Sequence, residues 1–151
     1  MSNDDDDISS QEAVAWAKSR LDEAVHEIMK SGILEGITVE ARVAWTLPKK
    51  IIIGRIRDSG LQQRELWIIA GDLPTDCINA SNCATPREAA RHFALKWQLG
   101  AEQIRDPKAR KQRSLSKDVD WENASNELAS VAEKLYAIVE EDRAWEQPDD
   151  G

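Results

Sequence analysis

No stretch limits the fold of this chain more than Leu66-Trp67-Ile68-Ile69-Ala70. It is aromatic, β-branched and apolar at every position, so a strand built from it has no face that favours water. Such a strand has to be covered on both sides, with helices over at least one of them. It runs directly into Gly71-Asp72-Leu73-Pro74-Thr75-Asp76, residue types that turn a chain and bond to their own backbone.

Upstream, the hydrophobic period is two. Ile37, Val39, Ala41, Val43, Trp45 and Leu47 alternate with Thr38, Glu40, Arg42, Ala44 and Thr46, which predicts a half-buried strand. Pro48-Lys49-Lys50 turns the chain, and Ile51 to Arg57 reads as a second strand. Asp58-Ser59-Gly60 is a turn, and Arg64 to Ala70 is the third strand. Connections this short imply antiparallel neighbours across residues 37–71.

Helical periodicity flanks this region. Ser9-Ser10-Gln11-Glu12 is a capping box. Val14, Ala17, Leu21, Ala24, Val25 and Ile28 then form one apolar face, and Gly32 suits a helix end. Residues 71–84 read as a loop. Thr85-Pro86-Arg87-Glu88 opens a second helix, and Asp106-Pro107 stops it. Trp121, Ala124, Leu128, Val131, Leu135, Ile138, Asp142 and Trp145 mark a third. Helices are therefore expected over 10–31, 86–105 and 118–145. The expected fold is α+β: a small three-stranded antiparallel β-meander packed against three α-helices, in the order α-β-β-β-α-α. A single domain is expected over 9–146, between a disordered acidic N-terminus at 1–8 and an acidic tail at 147–151.

Charge narrows the partners. The 151 residues carry 28 acidic and 20 basic side chains, a formal charge of -8, which disfavours general binding to nucleic acid or anionic membranes. A basic protein partner would suit it. No apolar run approaches the ~20 residues of a membrane span, and Asp4 to Asp7 is the wrong charge for a secretory signal. A reducing cytoplasm is expected, with Cys77 and Cys83 as thiols.

Few residues carry chemistry by their spacing. Asp72 and Asp76, with Thr75 and Arg87, form the candidate functional loop, since carboxylates at a strand end can act as acid, base or ligand. The competing role for both aspartates is to cap their own turn. His26 and His92 lack neighbours at ligand spacing, and the two cysteines match neither a zinc knuckle nor a redox pair. No metal or cofactor is expected. Arg105 to Lys117 is basic but has no aromatic residue for base stacking, so nucleic-acid binding is disfavoured. Trp16 and Trp145 lie at the margins of their apolar stripes and are candidate anchors for a partner.

The run Leu66 to Asp76, followed by Pro86-Arg87-Glu88-Ala89 and Phe93-Ala94-Leu95-Lys96-Trp97, resembles an uncharacterised bacterial family catalogued as domain of unknown function 4826. The resemblance is firmest over residues 66–97, the hairpin before it with Trp45 is compatible, and Cys77 departs from it where the family pattern has an aromatic. It implies a bacterial, cytoplasmic protein and no particular activity. The functional expectation is a non-enzymatic protein-binding domain, with an antitoxin or immunity protein as its specific form. The alternative is a small enzyme or ligand-binding protein using the Asp72/Asp76 loop.

Overall fold

Four antiparallel strands in sequence order, β1-β2-β3-β4, form the sheet. They are β1 (Val39–Leu47), β2 (Ile51–Asp58), β3 (Glu65–Gly71) and β4 (Asp76–Asn79). Among the described residues the helices are α1 (Asn3–Lys30), α2 (Pro86–Arg105) and α3 (Trp121–Glu140), with short 3-10 turns at Ala80–Asn82 and Asp142–Trp145. The computed structural model describes residues 3–32, 39–58, 64–106 and 120–146. The chain divides into two compact units, residues 1–89 and 90–151.

The α+β class and the three helices follow the periodicity. The fourth strand does not: β4 lies inside the segment expected to be a loop and pairs Cys77 with Ile68 and Ile78 with Trp67. The physical reason is β3 itself. Leu66 to Ala70 are all buried, and a strand so enclosed cannot leave a row of amides and carbonyls without partners. Four residues, Asp76-Cys77-Ile78-Asn79, are too few to show a period.

One face of the sheet carries α1. Ala17, Leu21, Ala24, Val25 and Ile28 pack with Ile52, Ile56, Leu66, Ile68, Ala70 and Cys77, and Trp16 and Val43 lie against this core. Gly54 lets α1 come close: a Cβ there would sit 2.8 Å from Leu21 Cδ1. The opposite face holds Trp45, Ile53, Trp67 and Ile69, all buried. Trp45 reaches that face through a bulge. Val43 pairs with Gly54 and Trp45 with Ile53, so Ala44 is the extra residue and the strict alternation breaks there. Val43 and Trp45 were expected on one face; the bulge puts them on two.

The helix ends also differ from expectation. The Asp4 to Asp7 run lies within α1, which begins at Asn3, upstream of the Ser9 box. At α2 the cap is as expected: Thr85 Oγ1 accepts from Glu88 N (3.1 Å), and Glu88 Oε2 reaches back to Ala84 N (2.9 Å). At α3 the cap is Asp120, which accepts from Asn123 N. The helix stops at Glu140 rather than 145, and its buried residues are Ser125, Ala132, Leu135 and Val139. Within the second unit, Ser125 Oγ donates to Ala101 O (2.8 Å), and Gly100 passes close to Leu128. The expected strand residues 37 and 38, the turn residues Ser59 and Gly60, most of the basic stretch to Lys117 and the tail 147–151 lie outside the described residues.

Candidate functional site

Antiparallel pairing assembles a charged ladder at one end of the sheet, on the face away from α1. Glu40 pairs with Arg57, and Arg57 with Glu65; Arg42 pairs with Arg55, and Arg55 with Trp67. Directly opposed residues share a face, so five charged side chains gather over three strands. Glu65 sits at the centre. Its Oε2 accepts from Arg55 Nη2 (2.5 Å) and its Oε1 from Arg57 Nη2 (2.9 Å). Arg55 also lies over the Trp67 ring, 5.0 Å from its centroid, and Trp67 Nε1 donates to Cys83 O (2.9 Å). The five charged residues line an open cavity of about 330 Å³ together with Ala41 and Ile56.

The electrostatics follow from the pairing. Hydrogen bonds from Arg57 and Arg55 hold the Glu65 carboxyl below the usual carboxylate range, and Glu65 in turn raises Arg57, with Glu40 adding to it. Glu65 is therefore a fixed anion at neutral pH, the opposite of a carboxyl poised to give a proton. Arg42 faces Arg55 across the strands, a repulsive arrangement. Among the described residues Arg42 has no acidic partner. Three arginines against two glutamates leave this patch positive in an otherwise acidic chain.

A second cavity, of about 500 Å³, lies between α1 and β1 and is mostly apolar. Val14, Ala17, Leu21 and Val43 line it, with Lys18 and Asp22 on its rim. Val14 is 55% exposed there. Ala41 and Arg42 line both cavities, so the two meet at β1.

The loop singled out from sequence lies at the other end of β2, where Ile51 pairs with Gly71. Gly71 has φ +122°, and a Cβ on it would fall 2.2 Å from Lys50 O. Asp72 N donates to that same carbonyl (2.7 Å), while the residue itself is exposed. Thr75 Oγ1 accepts from Arg20 Nη2 (3.3 Å), which ties the turn to α1. Asp76 Oδ1 accepts from Cys77 N (2.8 Å). Thr75 and Asp76 are thus engaged in holding the turn, and Asp72 acts through its backbone alone.

The family model for the domain of unknown function DUF4826 matches residues 10–145. The chain belongs to that family. Neither the curated proteins nor the solved structures compared give a match. The matched span takes in the sheet, α2 and α3, and hence both ends of β2, so the family extends well beyond residues 66–97.

The remaining candidates fall apart from both places. Arg87 is half-buried in the first turn of α2. Trp16 is half-buried against the α1 core. Trp145 Nε1 donates to Ile138 O (2.9 Å), so its indole helps to close α3. Cys77 and Cys83 are buried free thiols, and burial, with Glu88 nearby, pushes the Cys83 thiol up. Among the described residues no three His, Cys, Asp or Glu side chains converge as metal ligands, and no helix is long and apolar enough to cross a membrane. Sequence reading missed the charged ladder. Its one signal was charge at alternate strand positions, Glu40/Arg42 and Arg55/Arg57, which reads as a solvated face until the register is known.

Proposed function

We propose that this chain is a non-enzymatic protein-binding domain, and that the charged end of its sheet is the binding face. The observation that carries the reading is Glu65 clamped by Arg55 and Arg57. Charges held in fixed order on paired strands recognise by pattern: a partner must present the complementary order, and wrong partners meet like charges. The same clamp disfavours catalysis there, because a carboxylate fixed in its charged form neither gives nor takes a proton near neutral pH. The patch is positive in an otherwise acidic chain, which favours a partner that presents carboxylates to Arg42, Arg55 and Arg57. At the Asp72/Asp76 loop, the bonds of Thr75 and Asp76 to Arg20 and Cys77 support a structural role over an enzymatic one.

The test is affinity capture from the source organism with wild type and an Arg55→Glu/Arg57→Glu variant, each checked for native circular dichroism. A protein retained by wild type and released by the variant supports the reading. Equal retention by both moves the binding face elsewhere. Turnover of a small molecule that depends on Asp72 and Asp76 would replace it with the enzymatic alternative.

A further inference from the structure

We infer that β1 is a self-association edge, and that the carboxylate answering Arg42 is Glu40 of a second copy of this chain. The sheet has two edges, β1 and β4. β4 is four residues long, which blunts it as a template; β1 is nine, and no described strand pairs with its outer side. Charged side chains on an edge ordinarily prevent such pairing. Here they do not oppose a copy, because Glu40 and Arg42 lie two residues apart on one face with Ala41 between them. An antiparallel pair of β1 strands with its two-fold axis at Ala41 sets each Glu40 opposite the other copy's Arg42, and Val39 opposite Val43.

The register is selected by the same residues. Moving the axis by one residue sets Glu40 against Glu40 or Arg42 against Arg42. Half-residue shifts put a charge opposite an apolar position, on the wrong face. The small Ala41 side chain at the axis allows close approach. The bulge at Ala44 ends regular pairing just beyond this segment. On the opposite face, the apolar cavity lined by Leu21 and Val43 adjoins the same edge at Ala41, so a copy seated there covers apolar surface as well as pairing charge. The result is a continuous sheet of two copies, closed by two Glu40–Arg42 pairs related by symmetry.

The experiment is sedimentation equilibrium of the full chain over a wide concentration range, with circular dichroism to verify each fold. Wild type is expected to form a reversible dimer that weakens with added salt. Glu40→Arg and Arg42→Glu, each alone, place like charges at both symmetric positions and should weaken the dimer by roughly ten- to a hundred-fold. The double variant Glu40→Arg/Arg42→Glu restores opposite charges and should recover most of the loss. A wild-type chain that stays monomeric at the highest concentration overturns the inference. So does a dimer indifferent to the single reversals, or a double variant no better than either single one.

Discussion

The two ends of β2 are made of different things. At Ile51 the sheet meets Gly71, where the backbone is locked by a left-handed φ, a carbonyl too close for any Cβ, and side chains bonded to their own turn. At Arg57 it meets Glu65, where side chains of both signs stand on paired strands around an open cavity. The first end is rigid because its geometry admits few residues. The second is defined by charge, and its backbone would tolerate almost any side chain. The second end keeps its fixed charges open to solvent, whereas the turn's polar groups are largely taken up internally.

The contrast breaks most visibly at Gly71. Gly71→Ala should destabilise by about 4 kcal/mol or more, since a strained φ and a clash with Lys50 O act together. Urea denaturation measures it; a loss below about 1 kcal/mol would mean that the turn relaxes freely and that the two ends do not differ in rigidity.

The charged end has one structural charge of its own. Asp58, 1% exposed, lies 3.7 Å from Arg64. Asp58→Ala should cost about 2 kcal/mol, because it removes a buried carboxylate paired with the half-buried Arg64. A cost no larger than that of a surface substitution would show that this end is held by its backbone alone.

Glu65 sharpens the comparison through pH. Its folded pKa lies below the ordinary value of 4.5, so the carboxylate contributes stability that is complete above that value and is lost as pH falls through the folded pKa. Glu65→Gln should therefore flatten the acid limb of stability measured downward from about pH 5, and leave the slope near neutrality unchanged. An acid limb identical to wild type would mean that the two guanidinium bonds contribute nothing in solution.

Much of this fold is legible in the sequence, for local reasons. The period of two over β1, the β-branched run of β2 and the Thr85-Pro86-Arg87-Glu88 cap of α2 are each decided within a few residues. What is not legible depends on pairing. β4 exists because β3 needs an outer partner, and Cys77-Ile78 alone carries no such signal. The bulge that sends Trp45 to the other face is set by the register with Ile53 and Gly54. The charged ladder is hidden for the same reason: Glu40, Arg57 and Glu65 are far apart in sequence and meet only through two successive pairings. The loop was prominent in sequence because Gly, Asp and Pro are conspicuous, but those residue types shape turns as readily as they form sites.

Asp72 and Asp76 provide the finest test, because sequence treats them as equivalents and the structure does not. From sequence alone, Asp72→Ala is expected to leave a buried amide without its acceptor, at about 1–3 kcal/mol, and Asp76→Ala to cost the same or less. In the structure the Asp72 amide bonds to Lys50 O, an interaction that alanine keeps, and the residue is exposed. Asp72→Ala should therefore change stability by less than about 0.5 kcal/mol. Asp76 is different: its Oδ1 accepts from Cys77 N at the start of β4, where the residue is half-buried. Asp76→Ala removes that acceptor and should cost about 1 kcal/mol. The order Asp76 above Asp72, read from urea midpoints of the two variants at neutral pH, departs from the sequence expectation, under which Asp76 costs no more than Asp72. If Asp72→Ala proves the more damaging, its side chain holds the turn in solution, and the division between a backbone-locked end and a charge-defined end of β2 fails at that residue.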